Sequence, residues 1–144
     1  MAIRDAEIPL RIVLVDPPEG VLFALQRGRS ELVTATMSKG KDLALDLTVR
    51  VADDRDGPNF LGPFVQGPRG GRFVYVNSGT LAGQADTFWS RRAKVGLQGL
   101  TRDLVDRVAT STGNVLEARI SGRGRDGGPA CATVPLLDGW KIVS

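Results

Sequence analysis

The chain has 144 residues, 42% apolar and 24% charged, with a net charge of +3, a composition that suits one globular domain with a single core. It has no histidine and one cysteine, Cys131. Those two facts exclude Ser-His-Asp and Cys-His nucleophiles, His-ligated zinc, an intrachain disulfide and a CxxC redox pair, so neither a metal nor a cofactor is expected.

In chain order, Ile8, Leu10, Ile12 and Leu14 alternate with Pro9, Arg11, Val13 and Val15, the period of a half-buried strand. Asp16-Pro17-Pro18-Glu19-Gly20 ends it. Val21 to Gln26 and Glu31 to Met37 read as a hairpin around Arg27-Gly28-Arg29-Ser30. The clearest strand follows, with Leu43, Leu45, Leu47, Val49 and Val51 on one face and Ala44, Asp46, Thr48, Arg50 and Ala52 on the other. Asp53-Asp54-Arg55-Asp56-Gly57 lacks the ligand spacing of a calcium loop and reads as a solvated turn.

Pro58 to Gly79 is the most specialised stretch, with three of the five phenylalanines, the only tyrosine and the turn Gly67-Pro68-Arg69-Gly70-Gly71-Arg72. It reads as a long hairpin with that turn at its tip. Ala93, Val95 and Leu97 face inward on a later strand, opposite Arg92 and Lys94. One short helix is expected near 101–109, capped by Thr101, with Leu104, Val105 and Val108 as its apolar stripe and Asp103–Arg107 as an i,i+4 pair. A strand from Val115 to Ile120, the loop 121–129 and two short strands, Ala130 to Leu136 and Trp140 to Val143, complete the chain. The expected architecture is all-β, an antiparallel barrel or sandwich of about nine to ten strands, with the barrel preferred because closure removes sheet edges.

Three stretches resemble a family of small bacterial proteins of unknown function: IPLRIVLVDPPEGVLFALQ at the start, PNFLGPFVQGPRGGRFVYVNSG in the middle and GRGRDGGPACATVPLLDGW near the end. The resemblance spans almost the whole chain. It implies a single domain over 1–144 and assigns no activity and no residue roles.

Charge is unevenly spread. Residues 1–66 carry a net −2 and residues 67–144 a net +5, so the C-terminal half is the side suited to an anion. Two Gly/Arg loops lie there, GPRGGR at 67–72 and SGRGRDGG at 121–128; glycines let backbone N–H groups converge on an anion, and arginine adds a forked donor. Neither matches a phosphate-binding motif, and both also suit plain solvated turns. The expected binding residues are Phe60, Phe64 and Tyr75 as an apolar wall, with Arg69, Arg72 and Arg92 for the negative group. Arg91, Arg92 and Lys94 beside Phe88 and Trp89 hint at a nucleic-acid surface, but 6% aromatic residues and a charge of +3 argue against it. Asp46 with Arg50 or Tyr75 forms an acid–base pair only if their face lines a barrel interior; the aliphatic face is the more natural interior. Cys131, within the apolar run Ala130 to Val134, is expected to be a buried small hydrophobe.

The leading functional expectation is a protein that binds a small, partly apolar anion or a partner protein without catalysis. A metal-free, cofactor-free isomerase or cyclase using a carboxylate or tyrosine is the alternative, and a pure protein-interaction module the third. Open sheet edges suit a homodimer in each case. MAIRDAEIPL lacks an apolar stretch of signal-peptide length and no segment reaches membrane-spanning length, so a cytoplasmic protein with no membrane contact is expected.

Overall fold

The structure is a computed structural model, and it describes residues 6–27, 31–32, 35–51, 63–64, 73–82, 86–97, 100–109 and 111–144. Eleven strands and one helix are described: β1 (Ala6–Val15), β2 (Leu22–Arg27), β3 (Glu31–Leu32), β4 (Thr36–Met37), β5 (Leu43–Val51), β6 (Pro63–Phe64), β7 (Phe73–Ala82), β8 (Asp86–Gly96), α1 (Arg102–Ala109), β9 (Val115–Ser121), β10 (Ala132–Thr133) and β11 (Asp138–Val143).

They form two sheets. The first runs in the order β11-β9-β1-β5-β6, the second β10-β8-β7-β2-β3 with β4 also paired to β2. No strand pair joins one sheet to the other among the described residues, so the expected barrel is not closed. The arrangement is sandwich-like. Ile8, Leu10, Ile12, Leu14, Leu45, Leu47, Leu116, Ala118 and Ile120 of the first sheet and Phe23, Leu25, Val74, Val76, Ala93 and Val95 of the second are buried in one core. Each strand's alternation supplies one face of that core, which is why the period-two runs were informative.

The sheets are mixed rather than purely antiparallel. β1 pairs with β5 antiparallel but with β9 parallel, and β10 runs parallel to β8. Both parallel pairs arise where the chain changes sheets. It leaves β8, passes through α1 and enters the first sheet at β9; it then crosses back through 122–131 to add β10 to the second. A parallel neighbour requires such a crossover, and here no strand-helix-strand unit within one sheet announces it.

The expected hairpin over 58–79 is also corrected. Its two described pieces lie in different sheets: Pro63 and Phe64 pair with Val51 and Arg50 of β5, whereas β7 pairs with β2 and β8. Proline lacks a ladder donor and suits this two-residue edge strand, while the regular alternation of β7 finds longer partners. Of the expected strand 31–37, Glu31–Leu32 and Thr36–Met37 are described, and each pairs antiparallel with β2 as the expected hairpin requires.

The helix forms as its sequence dictates. Thr101 Oγ1 accepts the Leu104 N–H at 3.3 Å, Arg107 lies 3.5 Å from Asp103, and Val105 and Val108 enter the core. The outward face of the first sheet is a row of alternating charges. Asp46, Arg11 and Glu117 are register neighbours on β5, β1 and β9, and Lys141 on β11 follows Glu117.

Candidate functional site

The second Gly/Arg loop sits where the chain crosses from β9 to β10, and backbone bonds hold its base. Gly122 N–H donates to Val15 at 2.8 Å, Ala130 N–H to Gly122 at 3.1 Å and Gly124 N–H to Gly128 at 2.8 Å. Gly122 has to be glycine here: a Cβ would stand 2.7 Å from the Pro17 Cα. At the tip, Gly127 takes φ +81°, a conformation that costs glycine little.

Arg91 on β8 clamps this loop. Its Nη1 donates to Asp126 Oδ1 at 3.1 Å and to the Pro129 carbonyl at 2.9 Å, and its Nη2 donates to Asp126 Oδ2 at 2.6 Å. Asp126 Oδ1 also accepts the Gly128 N–H at 3.0 Å. The Arg91 hydrogen bond, followed by the Gly128 N–H, lowers the Asp126 carboxyl from its ordinary 3.8 to about 2. Arg91 is shifted upward by the same partner. Arg123 is engaged too, with Nε 3.3 Å from Asp16 Oδ2 and Nη1 3.2 Å from the Gly127 carbonyl. Arg125 differs: it makes no hydrogen bond or ion pair among the described residues.

Beside the loop lies a pocket of about 590 Å³, within the range of small-molecule sites. Ala130, Ala132, Val134, Pro135 and Leu137 give it an apolar wall, and Arg125 stands at it as the unengaged cation. Cys131 also lines it and is exposed, so the expectation of a buried cysteine is overturned. Ala130 enters the core, whereas Cys131 and Ala132 after it are exposed.

The other expected site residues fall apart in space. Phe60, Arg69 and Arg72 lie outside the described residues, and Phe64 is placed by its backbone alone, opposite Arg50. Tyr75 and Arg92 do come together on the outward face of the second sheet, where the Arg92 guanidinium carbon lies 5.2 Å from the Tyr75 ring centroid. Arg92 Nε donates to Asn77 Oδ1 at 3.2 Å, and Asn77 Nδ2 donates to Gln26 Oε1 at 2.9 Å. That chain ties three strands together and leaves Arg92 engaged.

Of the expected acid–base partners, Tyr75 is not brought to Asp46, and the Arg50 side chain lies outside what is described. Asp46 is outward-facing and 2.8 Å from Arg11 Nε, and Tyr75 belongs to the other sheet. A second pocket, about 320 Å³, overlies Arg11, Asp46 and Thr48, but its charged groups are already paired with one another. Among the described residues no cluster of three His, Cys, Asp or Glu side chains could hold a metal, and no helix is long and apolar enough to cross a membrane.

Residues 8–143 match the pattern of a described family, nearly the full length and all but the ends of the fold just set out. The chain belongs to the family of unknown function DUF5990. No curated protein and no solved structure matches it. Membership in DUF5990 assigns no activity, so the site's chemistry has to be read from its own residues. What sequence reasoning missed there is the Arg91–Asp126 clamp and the apolar wall. The only signal for the wall was the run Ala130 to Leu137, which reads equally well as core.

Proposed function

We propose that this protein binds a small, partly apolar anion in the pocket beside the 122–131 loop, without catalysing a reaction. The observation that carries this reading is one guanidinium, Arg125, unengaged among the described residues, beside a five-residue apolar wall in a pocket of about 590 Å³. The apolar tail of the ligand would lie along Ala132, Val134, Pro135 and Leu137, and its carboxylate, sulfonate or phosphate would face Arg125. The anion contact thus moves from the first Gly/Arg loop, with Arg69 and Arg72, to the second. Tyr75 and Arg92 then fall outside the primary contact set, and Arg92 is already occupied by Asn77 and Tyr75.

Binding is favoured over an isomerase or cyclase by the state of the only carboxylate among the described residues that line the pocket. Asp126 is paired with Arg91 and held ionised, whereas a general acid near neutral pH needs its affinity for protons raised. A thermal-shift screen of carboxylates, sulfonates and phosphate monoesters with apolar tails tests the reading. A ligand at about 100 times its dissociation constant stabilises by about 2.7 kcal/mol. The shift should disappear in Arg125→Ala. A shift of equal size in both proteins, or none for any of the three classes, would overturn the assignment.

A further inference from the structure

The first sheet ends at β11, and no strand pairs with its far edge among the described residues. We propose that this edge joins β11 of a second copy of the chain, antiparallel about a two-fold axis, merging two five-stranded sheets into one. The inference does not rest on the ligand reading, although Leu137 belongs to both surfaces.

The face assignments along β11 lead to it. Asp138 is paired in register with Arg119 and Lys141 with Glu117, which puts both on the outward, charged face. Ile142 is paired with the buried Leu116 and lies on the inward face, half-buried; Trp140 is buried there as well. Leu137, immediately before Asp138, stands at the entry to the strand and is 57% exposed. It is the more exposed of the two exposed large hydrophobic side chains among the described residues, Met37 being the other.

In a two-fold antiparallel strand pair every cross-strand contact is made twice, residue i with j and j with i, so an edge must be self-complementary to dimerise. The edge of β11 meets that requirement in one register. With Asp138 opposite the partner's Lys141, symmetry repeats the contact, and both charges are satisfied on the same face. That register also brings Leu137, just before the strand, level with the partner's Ile142, again twice, so that the exposed leucine gains an apolar neighbour. Charge and apolar surface therefore agree on one alignment.

An edge lysine and a bulge ordinarily keep a strand edge unpaired. Here Asp138 already neutralises Lys141 within the chain, and the register shift between residues 138 and 141 is expressed against β9. A foreign strand would need the same charge order to do as well, which a second copy supplies by symmetry. Leu137 also lines the pocket, so the dimer interface and the pocket share a wall.

Sedimentation equilibrium of the full chain across a concentration series tests the pairing. The wild type should move from 15.4 kDa toward twice that mass as concentration rises. Asp138→Lys makes the edge wholly basic and Lys141→Asp makes it wholly acidic, so each alone should weaken dimerisation by about tenfold or more. Mixed in equal amounts, the two variants should form a heterodimer, because each Lys then faces an Asp across the axis. Neither variant restores the ion pair within its own chain, so recovery on mixing cannot come from repaired folding. A wild type that stays at 15.4 kDa throughout, or a mixture that gains no dimer, would overturn the proposal.

Discussion

Arg91 and Asp126 meet through two nearly parallel hydrogen bonds, 3.1 and 2.6 Å long, across 35 residues of sequence. This contact fixes the Gly/Arg loop to a strand of the second sheet and so shapes one side of the pocket. A forked guanidinium on a carboxylate adds direction as well as attraction, which suits it to holding a loop in a single conformation.

The pair makes loop closure depend on pH in a defined sense. Asp126 has a lower proton affinity folded than unfolded, about 2 against 3.8, so its stabilising effect is complete above about pH 4. It is lost as pH falls from there through about 2. Amide hydrogen exchange in 122–131 should stay protected between pH 5 and neutrality and open within that acid window. Asp126→Asn should lose protection at neutral pH and show no acid step in this loop.

Two glycines of the same loop should respond differently to alanine. At Gly122 a Cβ meets the Pro17 backbone at 2.7 Å, and backbone cannot step aside, so Gly122→Ala should cost about 1–3 kcal/mol in urea unfolding. At Gly128 the obstacle is the end of the Arg91 side chain at 2.9 Å. Gly128→Ala should displace Arg91 and loosen the loop in hydrogen exchange, with a smaller effect on global unfolding.

The two faces of the first sheet should also separate by mutation. Ile12 is fully buried, and Ile12→Ala should destabilise by about 2–5 kcal/mol. Asp46 sits on the wet face in an exposed pair with Arg11, and Asp46→Ala should cost about 0–1 kcal/mol. Equal losses for the two variants in urea titrations would mean that the faces are misassigned.

These faces were legible in the sequence because burial on one side imposes a period of two: Leu45 and Leu47 against Asp46 and Thr48 can be arranged in no other way. The helix was legible from Thr101, Asp103 and Arg107, whose interactions are local. The pairing of β1 with β9 was not, since it joins Leu10 to Leu116 across a change of sheet that no local pattern encodes. Nor could turn chemistry at 67–72 reveal that Phe64 and Phe73 belong to different sheets. Of the candidate site, the GRGRDGG glycines and arginines could be seen in advance. Their division into Arg123, held by Asp16, and Arg125, held by nothing described, depends on distant residues.

Cys131 provides a separate check on the pocket. Exposed at its lining, the thiol should react with a thiol reagent in the native protein as completely as in urea. A ligand occupying the pocket should slow that reaction. Labelling only after unfolding would place Cys131 in the core instead.

The most direct measurement is a ¹H–¹⁵N NMR titration of the wild type and Arg125→Ala with octanoate, which carries one carboxylate and an apolar tail. The account predicts saturable shifts concentrated in residues 122–137 of the wild type and absent from Arg125→Ala. Saturable shifts centred instead on residues 67–72, or shifts in 122–137 that persist without Arg125, would contradict it.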